Sequence, residues 1–200
     1  MMMEYLDIFP TRIYKYSIDK DLIDDVLDNY QFDCDRFSIN NILNEPEFLN
    51  LQNEVLDKVI DDCPHGVAIS DWKVITSWIN NQPSGHGGFK YHSHTDSFMS
   101  CVLYLKGTDM YLSFKDSPRE SPVSMADKSS NYDIVVRHTY HSEVNVPVNV
   151  GDLLLFPSYI LHQPNENITD RDRVSIAYNL MPCRSKKDST IAPWIMDLQL

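Results

Sequence analysis

Two short runs carry most of the chemistry open to this chain: Tyr91-His92-Ser93-His94-Thr95-Asp96, and the stretch 156–165 with His162 inside it. Neutral imidazoles and carboxylates are the ligands that iron, manganese, zinc and related divalent ions prefer. In an extended strand, side chains two apart share a face, so His92, His94 and Asp96 are expected to point into one cavity. A third histidine arriving from a distant strand makes a three-point set and leaves coordination positions open for substrate. The local sequence prepares that arrival. Val150-Gly151-Asp152 reads as a turn, 153–156 as a buried apolar run, and Pro157 ends ladder pairing, so the chain bends before His162. The expectation is that His92, His94 and His162 converge on one divalent ion at the mouth of an all-β barrel. Asp96 stays open in two ways. It either orients an imidazole from behind or replaces His92 as the partner of His94 on the metal.

Eleven residues after His162, Arg173 opens the run RVSIAYN, whose alternation sends Arg173, Ser175, Ala177 and Asn179 to one face. If that face is interior, the guanidinium must be paired, because burying it alone is prohibitive, and a bidentate carboxylate ligand is its natural partner. Tyr104 in SCVLYL is placed to offer a hydroxyl to the same carboxylate. The competing reading has Arg173 on the surface, paired with Asp170 or Asp172, with Arg171 solvated beside it. Trp78 and Asn80 lie on the strand before the first histidine motif and are expected to line the pocket.

Other polar clusters carry less. His138, His141 and Glu143 sit together in RHTYHSE, but a three-residue spacing on a strand sends the two histidines to opposite faces. His86 and His65 occupy Gly- or Pro-rich turns and read as solvated. No GxSxG elbow is present to support a Ser-His-Asp hydrolase.

The elements that must position these residues change character along the chain. LIDDVLDNY (22–30) and the stretch 45–63 repeat Leu, Ile and Val at helical intervals, with Asn44 and Pro46 marking a helix start, and are expected to pack one apolar stripe each against a sheet. From Trp72 onward, short β-rich runs follow one another: WKVITSWIN, SFMSCVLYL, MYLSF, YDIVVRHTYHSEVNV, DLLLFP and RVSIAYNLM. Short strands without helices between them predict a mainly β fold, a sandwich, barrel or jelly roll over 71–182, with flanking helices in 1–70 and a tail at 183–200 that docks back, all in one domain. The Ser- and Asp-rich stretch 115–131 reads as a long exposed loop.

The bulk chemistry excludes several classes. A net charge of -12, from 17 Lys and Arg against 29 Asp and Glu, argues against a general nucleic-acid surface. Cys34, Cys63, Cys101 and Cys183 form no CxxC pair, and the N-terminal stretch does not read as a secretory leader. No run approaches the ~20 apolar residues that a membrane helix needs. A cytoplasmic protein with reduced thiols is expected, and the acidic helical third offers a surface for homodimer pairing.

The ordered set SWIN (77–80), YHSHTDSFMSCVLYL, GDLLLFPSYILHQPN and RVSIAYN resembles the iron(II)- and 2-oxoglutarate-dependent oxygenases, in particular their bacterial and phage hydroxylase subgroup. Each motif alone is weak; their order is specific. The resemblance implies a double-stranded β-helix, iron(II) held by the first motif and the late histidine, and Arg173 and Tyr104 on the far carboxylate of 2-oxoglutarate. Asn80 and Asn179 join the expected cofactor contacts. It further implies dioxygen as co-substrate, ascorbate as a usable reductant, and hydroxylation of a C–H bond coupled to decarboxylation of 2-oxoglutarate, with peptidyl proline the leaning among open substrates. The usual His-x-Asp pair is matched by His94-x-Asp96, whereas His92-x-His94 has the spacing to SFMSC of the nearest subgroup. HSH followed by PSYILH also resembles the cupins, although the glutamate they place after the histidine pair is replaced here by Ser97, Phe98 and Met99. A non-catalytic jelly roll with a structural metal, or with none, is the third reading.

Overall fold

The computed structural model describes residues 11–29, 41–61, 71–115 and 143–183. The expected loop beyond Lys115, the first half of the run from Tyr132, His65, His138, His141, Cys34, Cys63 and the tail after Cys183 lie outside the described residues. Helix α1 (Lys20–Asn29) starts behind Asp19, whose Oδ1 accepts the Asp21 N–H at 2.9 Å. The second helix begins later than its sequence suggests. Glu45 is extended (φ −70°, ψ 143°), the conformation that Pro46 imposes on its predecessor. Short 3₁₀ turns at Ile42–Asn44 and Pro46–Phe48 therefore precede α2 (Leu49–Asp61).

The strands are β1 (Tyr14–Ser17), β2 (Asp71–Gln82), β3 (Met99–Lys106), β4 (Met110–Lys115), β5 (Glu143–Val148), β6 (Asp152–Pro157), β7 (Leu161–Pro164) and β8 (Arg173–Cys183). They form two antiparallel sheets, ordered β1-β6-β3-β8-β2 and β5-β4-β7. An isolated bridge between His92 and His162 adds the rudiment of a fourth strand beside β7. This is the mainly β, jelly-roll arrangement that the strand pattern implies.

Period-two alternation divides the large sheet between two cores. Cys101, Leu103 and Leu105 of β3, Leu153 and Leu155 of β6, and Val174, Ile176 and Tyr178 of β8 face the helices, meeting Ile23, Val26, Leu51 and Val55. Val102, Tyr104, Leu154, Phe156 and Ala177 face the other way, toward Leu112 and Phe114 of the small sheet. Because both faces are covered, β6 is buried at every position and β3 at all but its last. The face carrying Arg173, Ser175, Ala177 and Asn179 is thus the inner one, as the alternation of RVSIAYN predicts. Among the described residues, no helix is long and apolar enough to cross a membrane.

Candidate metal centre and anion cradle

One departure from the expected local structure decides how the metal centre is built. The segment 91–98 is not a strand; only His92 pairs, exchanging backbone hydrogen bonds with His162 at 3.1 and 2.9 Å. His94 is pinned instead by its N–H, which donates to the Ser158 carbonyl at 2.9 Å. The three rings nevertheless converge. Their centroids stand 4.4 Å (His92–His162), 5.1 Å (His94–His162) and 5.4 Å (His92–His94) apart. One ring nitrogen from each lies within 4.8 Å of the others.

Hydrogen bonding on the far side of each ring fixes which nitrogen is free. His92 Nδ1 lies 2.9 Å from the Lys90 carbonyl and His162 Nδ1 lies 2.9 Å from the Ile160 carbonyl. A carbonyl only accepts, so both Nδ1 atoms carry the proton and each Nε2 keeps its lone pair. His94 Nδ1 is 2.6 Å from Asn179 Oδ1, with Ser100 Oγ at 3.0 Å. On its other side Asn179 Nδ2 donates to Thr76 Oγ1 at 3.1 Å. A hydroxyl chain feeds the same oxygen: Ser97 donates to Ser158 and Ser158 to Ser100, at 2.8 Å each, and Ser100 to Asn179 Oδ1 at 3.0 Å. With one proton per hydroxyl, the chain runs in one direction and ends on the acceptor that holds His94. Trp78 packs against the His94 ring at 5.4 Å.

Asn179, expected among the cofactor contacts, therefore turns to His94 and is absent from the cavity wall. Asp96 is exposed and outside the three-histidine cluster; the orienting contact considered for it comes from Asn179 and Ser100. Asn80 lines the cavity and accepts the Trp78 indole N–H at 3.1 Å.

Burial favours the neutral form of His162 and His94. It pulls the pKa of His162 down to about 3, against the Ile160 hydrogen bond, with the neighbouring histidines pushing the same way. His94 is lowered by burial too, with the Asn179 hydrogen bond opposing. In the unfolded chain both histidines protonate near 6.5, so below that pH the unfolded state binds more protons than the folded one. The melting temperature of metal-free protein should accordingly fall as pH drops from about 6.5 toward 4. Replacing His162 with glutamine should flatten that slope, as measured by thermal melts across the range.

The cavity beside the histidines is about 560 Å³, walled by Phe89, Val102, Leu112 and Phe156 with a few polar groups: Asn80, Gln82, Tyr104 and Ser175. Arg173, 1% exposed, stands behind Gln82 of that wall. Its NH1 donates to the Asn165 carbonyl at 2.7 Å and to Gln82 Oε1 at 3.2 Å, and its NH2 to the Glu166 carbonyl at 3.3 Å. Neither Asp170 nor Asp172 pairs with it, so the surface reading is set aside. Burial lowers its pKa from the usual value, as expected of a cation without an anion. Arg173 Nε, Gln82 Nε2 and Tyr104 Oη are all buried with no hydrogen-bond partner. Burial raises the Tyr104 pKa, so its hydroxyl stays a donor. Gly107 makes room here. At φ +134° it adopts a conformation side chains avoid, and a Cβ there would stand 2.8 Å from Met110 Sδ and 3.1 Å from Arg173 Cγ.

Gln82 is the residue the sequence reading missed. Ending that strand at Asn80 hid it; carried two residues further, alternation puts Gln82 on the face of Trp78 and Asn80, and the β2–β8 register sets it opposite Arg173.

A family model described as "Putative 2OG-Fe(II) oxygenase" matches residues 76–179, which span both histidine motifs and Arg173. The chain belongs to this oxygenase family. This oxygenase accordingly uses iron(II) and 2-oxoglutarate, with dioxygen as co-substrate, and the residues present fit both groups. Three inward lone pairs suit the metal, and a buried cation with unused donors suits a dicarboxylate. No curated protein sequence matches the oxygenase significantly, and its likeness to solved structures is one of fold. HygX from Streptomyces hygroscopicus with nickel and 2-oxoglutarate bound superposes with a TM-score of 0.56 at 14% identity, covering 87% of this chain and 85% of that one. AviO1 from Streptomyces viridochromogenes Tue57 gives 0.56 at 12% identity, with 92% of each chain covered. SnoN, a non-heme alpha ketoglutarate dependent epimerase from nogalamycin biosynthesis, gives 0.57 at 10% identity, covering 86% and 79%.

Proposed function

We propose that this oxygenase is a hydroxylase that inserts oxygen into an aliphatic C–H bond, in the manner of prolyl hydroxylases, with His92, His94 and His162 holding iron(II) through Nε2. The observation that carries the reading is Arg173: a buried cation with no anionic partner among the described residues, hydrogen-bonded to Gln82 in the wall of the cavity that the three convergent imidazoles also line. A dicarboxylate answers both features chemically, one carboxylate for the charge and the 2-oxo acid end for the metal.

Bound iron(II), with 2-oxoglutarate and dioxygen, supplies the oxidising power while 2-oxoglutarate becomes succinate and carbon dioxide. The chain supplies placement and environment. The Nδ1–H bonds to Lys90, Ile160 and Asn179 fix the tautomer of the three rings and keep each Nε2 aimed inward. Tyr104 donates its hydroxyl to the far carboxylate, and Phe89, Leu112 and Phe156 exclude water beside the reacting end.

With iron(II), ascorbate and 2-oxoglutarate under anaerobic conditions, the purified protein should show a weak visible metal-to-ligand absorption; air should then bring slow succinate release even without prime substrate. His162→Ala should lose both signals. If neither appears in the wild type and Arg173→Ala leaves 2-oxoglutarate affinity unchanged, the oxygenase assignment of this cavity fails. SnoN motivates one second reading, epimerisation at a C–H centre. The two separate by mass, because a hydroxylated product gains one oxygen atom and an epimer gains none.

A further inference from the structure

We propose that Gln82 passes the charge of Arg173 to the far carboxylate of 2-oxoglutarate and determines which 2-oxo acids the oxygenase accepts. This rests on the reading of the cavity as the 2-oxoglutarate site and adds to it a residue and a mechanism of recognition. Gln82 lies at the end of β2, directly opposite Arg173 in the β2–β8 register, and is 2% exposed. Its Oε1 accepts from the guanidinium at 3.2 Å, which settles how the amide is turned. The two hydrogens on Nε2 are then forced away from Arg173. That nitrogen is buried without a partner, and Gln82 lines the cavity whereas Arg173 does not.

An orphaned buried amide costs free energy unless something in the cavity accepts from it. Tyr104 Oη and Arg173 Nε, also buried without partners, are donors too, so none of the three supplies the acceptor that the others lack. An acceptor facing a cation and several donors is an anion. The guanidinium pulls electron density from Oε1 and so makes the Nε2 hydrogens better donors, which couples charge and contact through one amide. An apolar end at this position would leave Nε2, Tyr104 Oη and Arg173 Nε all unsatisfied. Discrimination against a 2-oxo acid lacking the second carboxylate follows directly.

The test measures binding, with no turnover needed. Nickel(II)-loaded protein is titrated calorimetrically with 2-oxoglutarate and with 2-oxopentanoate, which has the same chain length and no second carboxylate. Wild type should prefer 2-oxoglutarate by roughly a hundredfold or more, and Gln82→Leu should cut that preference at least about tenfold, the worth of one charge-assisted hydrogen bond. Gln82→Glu places a carboxylate on Arg173 where the ligand's should sit. It should weaken 2-oxoglutarate by roughly a hundredfold while leaving 2-oxopentanoate nearly unchanged. Gln82→Met, closer in shape, replaces the leucine variant if that one does not melt cooperatively. Should the wild type fail to prefer 2-oxoglutarate, the reading of the cavity itself is overturned. Should the wild type discriminate while the Gln82 variants discriminate equally well, only the role of Gln82 is overturned.

Discussion

Leucine at position 173 is expected to weaken 2-oxoglutarate binding by about 3 kcal/mol, roughly a hundredfold, while leaving metal affinity unchanged. The size follows from what the guanidinium does. It is a buried charge directly behind the cavity wall at Gln82, and a carboxylate entering beside Gln82 would otherwise lie in a largely apolar pocket uncompensated. The variant should also lose folding stability, on the order of 2 kcal/mol, because the Asn165 and Glu166 carbonyls and Gln82 Oε1 all lose their donor. Lysine should recover only part of the affinity, since an ammonium keeps the charge but cannot fork between Gln82 and two carbonyls. Calorimetry on nickel-loaded protein separates these effects from metal loss. An unchanged affinity for 2-oxoglutarate in the leucine variant would place the dicarboxylate elsewhere.

The second large effect is expected at Asn179. Asn179→Leu removes the acceptor that keeps the proton on His94 Nδ1, leaving the ring free to turn or to carry its proton on the nitrogen that should face the metal. Loss of such an orienting partner lowers metal affinity by roughly 10- to 100-fold. Aspartate supplies the same acceptor and should restore affinity to near the wild-type value. Competition with a chelator reads this directly, and thermal melts of the metal-free proteins report any general damage from losing the Thr76 contact. If the leucine variant holds metal as tightly as wild type, Asn179 is a packing residue and no more.

The parts of the molecule governed by short repeats were legible in its sequence. Alternation in RVSIAYN assigns the inner face of β8, and three- and four-residue spacing assigns the buried stripes of α1 and α2, because those periods follow from backbone geometry alone. The histidine trio was legible as a set of types. Its geometry was not: His92 and His94 share a cavity through a bridge to His162 and a hydrogen bond to Ser158, contacts with distant partners that local spacing cannot encode. The same reason hid the role of Asn179, whose partner is His94, eighty-five positions away. Gln82 escaped because its meaning depends on strand register, which becomes visible only when β2 and β8 are aligned. The start of α2 was misplaced because Pro46 acts on Glu45 sterically, and that outweighs the capping signal at Asn44.

The bridge between His92 and His162 consists of two backbone hydrogen bonds on a stretch otherwise outside both sheets. Beyond that bridge the connection from β2 to β3 is tied down by scattered single bonds, such as His94 to Ser158 and Phe98 to Leu180, with no continuous ladder, so it should breathe at the cavity mouth when the site is empty. An ion gripping His92 and His94 on that connection, and His162 on the small sheet, would act as a clasp. It ties a loosely held segment to a strand, and its binding free energy becomes resistance to local opening. Amide hydrogens between 83 and 98 would then exchange more slowly in proportion to metal occupancy, making the rim of the cavity a gauge of how fully the centre is loaded.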